Sequence, residues 1–402
     1  MATLSYSEAG DFAIDRSRLQ HDLFSHSADV IVRGQLRRPL GPVSNFVADQ
    51  LPHYLTQVKH SDRKGEEIRT LGRVINDLIA ESDYAALLLT LPRPELEIAK
   101  ADIEYLVNCM YMVSASAQLS PTEAELVVGD VLSRLACVGR QLHPSTEGLS
   151  YEDMILMNPL QSDPRVYCVG VAGVEERDFC LAHQLIESEL QSAMDALIGL
   201  RDNTATDARG CLETCLDKLE TANYILSKFN DMSSALFGEF RVFYGANPYK
   251  SRLGPSGRFS ARVVAVSVLL IGEELFRQKP QFYCDLYRLS EHYPQSCIHE
   301  IFRWLSPDDE SGRLKPRWLS GQANFPTSAT IMPIIERRGH ELGRLAASCV
   351  RVLDHFIRMH RSAALRFTVQ PGLPVSGAAS SESVEAVLDQ RLLTARRRDK
   401  NT

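Results

Sequence analysis

The chain has 402 residues, 44% of them apolar, with 44 Lys+Arg against 51 Asp+Glu for a formal net charge of −7. That length and apolar content supply a large buried core and exclude disordered and disulfide-stapled mini-protein classes; the acidic balance argues against a nucleic-acid binder, which needs a basic face for phosphates. Nine cysteines without paired spacing, and no recognisable signal peptide, predict a reducing, cytoplasmic setting with free thiols.

Residues 1–42 are polar and without a sustained period, and read as an N-terminal tail or cover. From Val43 the pattern is helical. Phe46, Leu51 and Leu55, then Ile68, Leu71, Val74, Ile75, Leu78 and Ile79, recur at helix spacing. Ser120-Pro121-Thr122-Glu123 predicts a helix start, with Ser as N-cap, Pro at the first position and Glu at the third. The helix it opens carries Leu126, Val127 and Val131. Residues 148–173 hold Asn158-Pro159, Asp163-Pro164, Gly170 and Gly173, which is loop chemistry. Two amphipathic helices follow, one on Leu185, Ile186, Leu190, Ala193, Met194 and Leu197, the other on Leu212, Leu216, Leu219, Leu226 and Phe229. Residues 263–276 are apolar nearly all round and predict a buried central helix, too short to span a bilayer. After a Pro-bearing connection over 306–326, a last long helix runs over about 341–369, followed by a Gly/Ser-rich segment and a basic tail. No alternating strand pattern stands out, so the fold class is all-α. The expected organisation is a tail over 1–42, a helical subdomain over 43–150, a second helical domain over 151–381 and a basic tail over 382–402.

P-loop, G-x-G-x-x-G, H-E-x-x-H and C-x-x-C motifs are absent. Cys211 and Cys215 lie one helical turn apart and read as a small apolar pair rather than as metal ligands. His360 is more informative: it falls in the apolar stripe of the last helix, four residues after Phe356 and four before Ala364, whereas His355 lies on the polar side. An imidazole there is either a satisfied core residue or a metal ligand such as a haem axial group. Arg241 stands among Phe240, Phe243 and Tyr244, where a guanidinium pairs either with an internal carboxylate or with a bound carboxylate ligand. Gly254-Pro255-Ser256-Gly257 is either an ordinary turn or a loop that approaches a flat ligand closely.

In this order, the motifs resemble the haem-dependent aromatic oxygenase superfamily of tryptophan and indoleamine dioxygenases. Phe240–Gly245 is similar to its F-R-x-x-x-G stretch, which implies that Arg241 binds an amino-acid carboxylate. The loop with Gly254, Ser256 and Gly257 resembles the one over the haem. Phe282-Tyr283-Cys284-Asp285, with Tyr293-Pro294, resembles the aromatic segment that follows. His360 lies where the family's iron ligand lies. Asn158-Pro159-Leu160-Gln161-Ser162-Asp163, followed by Arg165, Tyr167 and Gly170, is similar to the N-P-x-x-x-D and R-x-Y-x-x-G stretches of the monodechloroaminopyrrolnitrin synthase branch. Two departures stand out. The usual G-T-G-G or G-S-G-G loop is here Ser376-Gly377-Ala378-Ala379, and Ala364 stands where the tyrosine-hydroxylating relatives carry a cysteine that tethers haem.

The resemblance implies a large helical bundle enclosing non-covalent haem b on His360, with molecular oxygen as co-substrate and His183 as the distal polar group. It also implies a tryptophan-derived or related aromatic amino acid held by Arg241, Tyr167, Phe240, Tyr244, Ser376 and Gly377, with oxidation or ring rearrangement in secondary-metabolite biosynthesis. An external electron donor is a possible partner; nucleic acid and membrane are not expected. The alternatives are a dioxygenase making N-formylkynurenine and a non-catalytic helical haem-binding protein.

Overall fold

The computed structural model describes residues 41–81, 83–129, 149, 151–158, 165–245, 249, 260–278, 301, 303–305, 318 and 323–369. Among the described residues the chain is helical throughout, with no strand, as the period analysis expects. They fall into two compact units. The first lies within Met1–Gln184, Phe229–Phe259 and Arg366–Ser381; the second lies within Leu185–Lys228, Ser260–Leu365 and Glu382–Thr402. Of the expected tails, 1–42 and 382–402, only Gly41 and Pro42 lie within the described residues, and both belong to the first helix rather than to a tail.

In the first unit, helix α1 (Gly41–Asn45) passes through a π turn (Phe46–Gln50) into α2 (Leu51–His60), and then come α3 (Lys64–Glu81) and α4 (Tyr84–Thr90). Helix α5 (Arg93–Ser116) is the hub: most of its side chains from Ile98 to Tyr111 are buried, against α1, α2 and α3 among others. The next helix, α6 (121–129), starts as its sequence dictates. Glu123 N–H donates to Ser120 Oγ at 3.3 Å and Ser120 N–H donates to the Glu123 carboxylate at 2.9 Å, a reciprocal cap that satisfies two backbone donors at the helix end. Its buried face carries Ala124 and Val128, whereas Leu126, expected in the apolar stripe, is 73% exposed. The apolar stripe is shifted by the partners that α6 meets, which periodicity does not report.

Helix α7 (Gly170–Arg201) begins inside the stretch expected to be loop. Gly173 allows this start: a Cβ there would lie 2.3 Å from the carbonyl oxygen of Cys168, so the extended segment 165–169 and the helix meet where only a glycine fits. Helix α7 is followed by α8 (Ala208–Ser227), capped by Asp207, and α9 (Ser234–Arg241), capped by Ser233.

The second unit pairs α8 with α13 (His340–Ala364), after α10 (Ala261–Ile271), α11 (Glu273–Gln278) and α12 (Met332–Arg338). Leu212, Cys215, Leu219 and Ala222 of α8 are buried, as are Leu342, Ala346, Cys349 and Leu353 of α13; the small residues let the two backbones approach. Asn223 Nδ2 donates to the Val352 carbonyl at 3.0 Å across this pair. The buried apolar helix expected over 263–276 is interrupted. Gly272 sits at φ +62 and ends α10, and the Leu269 carbonyl freed there accepts from Thr330 Oγ1 at 2.8 Å and Ile331 N–H at 3.0 Å. The last helix ends at Ala364 and widens into a π turn, Leu365–Val369, within the span expected for it. Among the described residues no helix is long and apolar enough to cross a membrane.

Candidate functional site

The densest polar construction lies in the first unit, around Asn158 and Arg165. Asn158 holds the Arg165 backbone with both ends of its amide: Arg165 N–H donates to Oδ1 at 2.8 Å, and Nδ2 donates to the Arg165 carbonyl at 2.9 Å. One side chain thus brings residues 158 and 165 together. The Arg165 guanidinium, 2% exposed, is held at every nitrogen. Nε pairs with Asp102 of α5, Nη1 donates to the Met157 carbonyl, and Nη2 donates to the Ile98 carbonyl at 2.9 Å. Ser44 Oγ donates to the same Asp102 carboxylate. A buried charge of this kind persists because it is paired and its remaining donors are met.

Next to it stands an aromatic cluster. The Tyr167 ring lies 4.9 Å from Tyr105, 4.7 Å from Phe243 and 5.3 Å from Tyr244. Phe240 is completely buried and packs edge-on to Tyr244 and Phe237. The hydroxyls are engaged: Tyr167 donates to the Tyr105 carbonyl at 3.0 Å, and Tyr244 donates to the Glu176 carboxylate at 2.5 Å. Glu176 on α7 is fully buried and also accepts from the backbone N–H groups of Tyr167 and Cys168, each at 2.9 Å. Burial raises its pKa from the ordinary 4.5 to about 7, with the bonds from Tyr244, Tyr167 and Cys168 pulling the other way. Burial likewise pushes the hydroxyls of Tyr105, Tyr167 and Tyr244 well above 10.

Arg241, the last residue of α9, is 4% exposed, and burial lowers its guanidinium to about 10. Its place in the last helical turn is favourable for a cation because the helix dipole is negative there. His183 is half-buried on α7, with its ring 4.3 Å from Phe179 and 5.0 Å from Phe229. Its Nδ1 lies 2.9 Å from the Phe179 carbonyl; because a carbonyl only accepts, Nδ1 carries the hydrogen, which fixes the ring's orientation.

Tyr167, Phe240, Tyr244, Arg241 and His183 therefore all belong to the first unit, the first three linked by ring contacts. His360 belongs to the second, half-buried on α13 near its C-terminal end, while His355 is exposed as expected. Gly254, Ser256, Gly257, Phe259, Ser376 and Gly377, and the segment at 282–294, lie outside the described residues. In the second unit Cys215 and Cys349 lie buried on the facing helices as free thiols, and Cys349 Sγ donates to the Leu212 carbonyl at 3.5 Å. Among the described residues no three His, Cys, Asp or Glu side chains form a metal-ligating group.

Sequence reasoning passed over Glu176 and Asp102. A signal for Glu176 was present: it lies three residues after Gly173 and four before Cys180, a spacing that puts it on a buried helix face. Asp102 carried no comparable local cue, since its partner is 63 residues away. No protein-family model and no curated protein matches this chain.

Proposed function

We propose that the protein is a haem-dependent oxygenase acting on a tryptophan-derived or related aromatic amino acid in secondary-metabolite biosynthesis. The observation that carries this reading is Arg241: a desolvated guanidinium beside the buried Phe240, Phe243 and Tyr244 suits the carboxylate of an aromatic amino acid. Its bidentate fork orients such a substrate, and Tyr167, Phe240 and Tyr244 offer ring faces rather than hydroxyl chemistry, because both tyrosine hydroxyls are already bonded. The donor chemistry at His360 fits a haem. One imidazole would suffice to hold it, since the porphyrin brings its own nitrogen ligands, and His360 is half-buried beside the apolar Phe356 and Ile357 of its own helix. Haem, when bound, supplies the iron centre for oxygen activation. His183, with its ring oriented through Nδ1, is the polar group of the reading; Gly254, Ser256 and Gly257 would line the cofactor, and Ser376 and Gly377 the substrate.

The test is spectroscopic. Protein expressed with supplemented haem should show a Soret band that shifts on reduction and carbon monoxide addition, and His360→Ala should lose or alter it. A purified protein with no Soret band refutes the haem reading; an unchanged spectrum in His360→Ala refutes the ligand assignment alone. Substituted tryptophans should perturb the same spectrum, and Arg241→Met should weaken their binding by about 2–5 kcal/mol. Unchanged affinity would remove Arg241 as the carboxylate clamp. Product analysis separates this chemistry from N-formylkynurenine formation.

A further inference from the structure

The carboxylate of Glu176 is the point at which three separate pieces of the first unit meet. Extended segment 165–169 donates to it through the N–H groups of Tyr167 and Cys168, the turn Val242–Tyr244 donates through the Tyr244 hydroxyl, and the carboxylate itself rides on α7. We infer that Glu176 is a proton-operated latch: as a carboxylate it ties the 165–169 segment and the Val242–Tyr244 turn to α7, and protonation releases part of that tie. The reasoning is one of acceptor count. An ionised carboxylate only accepts, with two equivalent oxygens, and every group aimed at it is a donor. A proton on Oε1 reverses the bond with the Tyr244 hydroxyl, which can also accept, and leaves the Tyr167 and Cys168 N–H groups on an uncharged and therefore weaker acceptor.

The surrounding groups leave Glu176 to titrate alone. Facing it are Tyr244 and Tyr105, from the turn and from α5, Tyr167 and Cys168 from the segment, and Cys180 from its own helix. The tyrosine and cysteine groups are all pushed above their ordinary values by burial, away from neutrality. No Lys, Arg or His among the described residues pairs with the Glu176 carboxylate; Arg165 acts on the neighbouring Tyr105 and Lys59 on Cys168. Burial and hydrogen bonding oppose each other at Glu176 and bring its transition to about 7. This holds whether or not the chain binds haem.

Hydrogen exchange of the full-length protein, followed by mass spectrometry on the peptide covering 165–169 and corrected for intrinsic pH dependence, tests the latch. In local openings that break these bonds but leave Glu176 buried, protection of these amides should fall about five- to tenfold as pH drops from 8.5 to 5.5, the loss of roughly one hydrogen bond, with a midpoint near 7. Glu176→Gln should be flat across that range. Tyr244→Phe removes a donor that favours the carboxylate, so its midpoint should move up. Wild-type protection that does not change with pH, a Glu176→Gln protein that keeps the midpoint, or an unmoved midpoint in Tyr244→Phe overturns the inference.

Discussion

Replacing Arg165 by methionine keeps most of the apolar volume of the side chain and removes its charge and all its donors. Three acceptors then lose their partner: the Asp102 carboxylate, the Met157 carbonyl and the Ile98 carbonyl. Asp102 is 3% exposed and keeps the Ser44 hydroxyl. Breaking a buried pair from one side costs about 3–5 kcal/mol, because the remaining charge stays desolvated. The Met157 carbonyl adds on the order of 1 kcal/mol where water does not reach it, whereas the Ile98 carbonyl keeps its bond within α5. Against a typical stability of about 5–15 kcal/mol, this places the variant near the edge of folding. The assay is urea unfolding read by tyrosine fluorescence, since Tyr105 and Tyr167 sit beside Arg165, whereas Trp304 and Trp318 both lie in the second unit and report on it separately. The Tyr transition should move to lower urea in Arg165→Met. Adding Asp102→Asn should recover part of the loss, because a neutral amide no longer leaves a buried charge. A loss below about 1 kcal/mol, or a double variant as unstable as the sum of the singles, would refute the pairing argument.

Two further outcomes follow from the same unit. Gly173→Ala should destabilise by about 2–3 kcal/mol in urea unfolding, because its Cβ would meet the Cys168 backbone at 2.3 Å and backbone yields less readily than a side-chain tip; wild-type stability would mean that segment 165–169 is not held against α7. The pH dependence at Glu176 has a definite sign. A carboxyl raised from 4.5 to about 7 in the folded chain binds its proton more tightly there than in the unfolded chain. Its contribution to stability is therefore complete below pH 4.5 and is lost as pH rises through about 7, a decline of about 3 kcal/mol at ~1.4 kcal/mol per pH unit. Unfolding measured between pH 4.5 and 8 should show a shallower slope in Glu176→Gln, and equal slopes would contradict the assignment.

Local order was legible in the amino-acid sequence wherever one segment carries its own instruction. The Ser120–Glu123 cap is complete within four residues, so its geometry needs no distant partner. The apolar stripes on Leu185–Leu197 and on Leu212 and Leu219 identify the buried faces of α7 and α8 because burial follows the 3.6-residue period. Asn158, Arg165 and Tyr167 were visible as one motif, although not as one clamp: a motif shows residue types and spacing, whereas the Asn158 amide closes on residue 165 across intervening chain. Leu126 shows the opposite case, an apolar residue at helix spacing that is exposed among the described residues.

An acidic, apolar-rich chain with helix-period stripes, caps and no strand pattern was bound to be helical, because those features act over a few residues of backbone. What tertiary structure alone decided is which charges are buried and what neutralises them. Asp102 meets Arg165 across 63 positions, and Glu176 collects donors from chain 8 to 68 positions away. Burial depends on the whole fold, and it is burial that turns an ordinary glutamate into a group poised near neutrality and an arginine into a desolvated cation. The chain's net charge of −7 counts such residues equally with those on the surface; only their surroundings give them distinct chemistry.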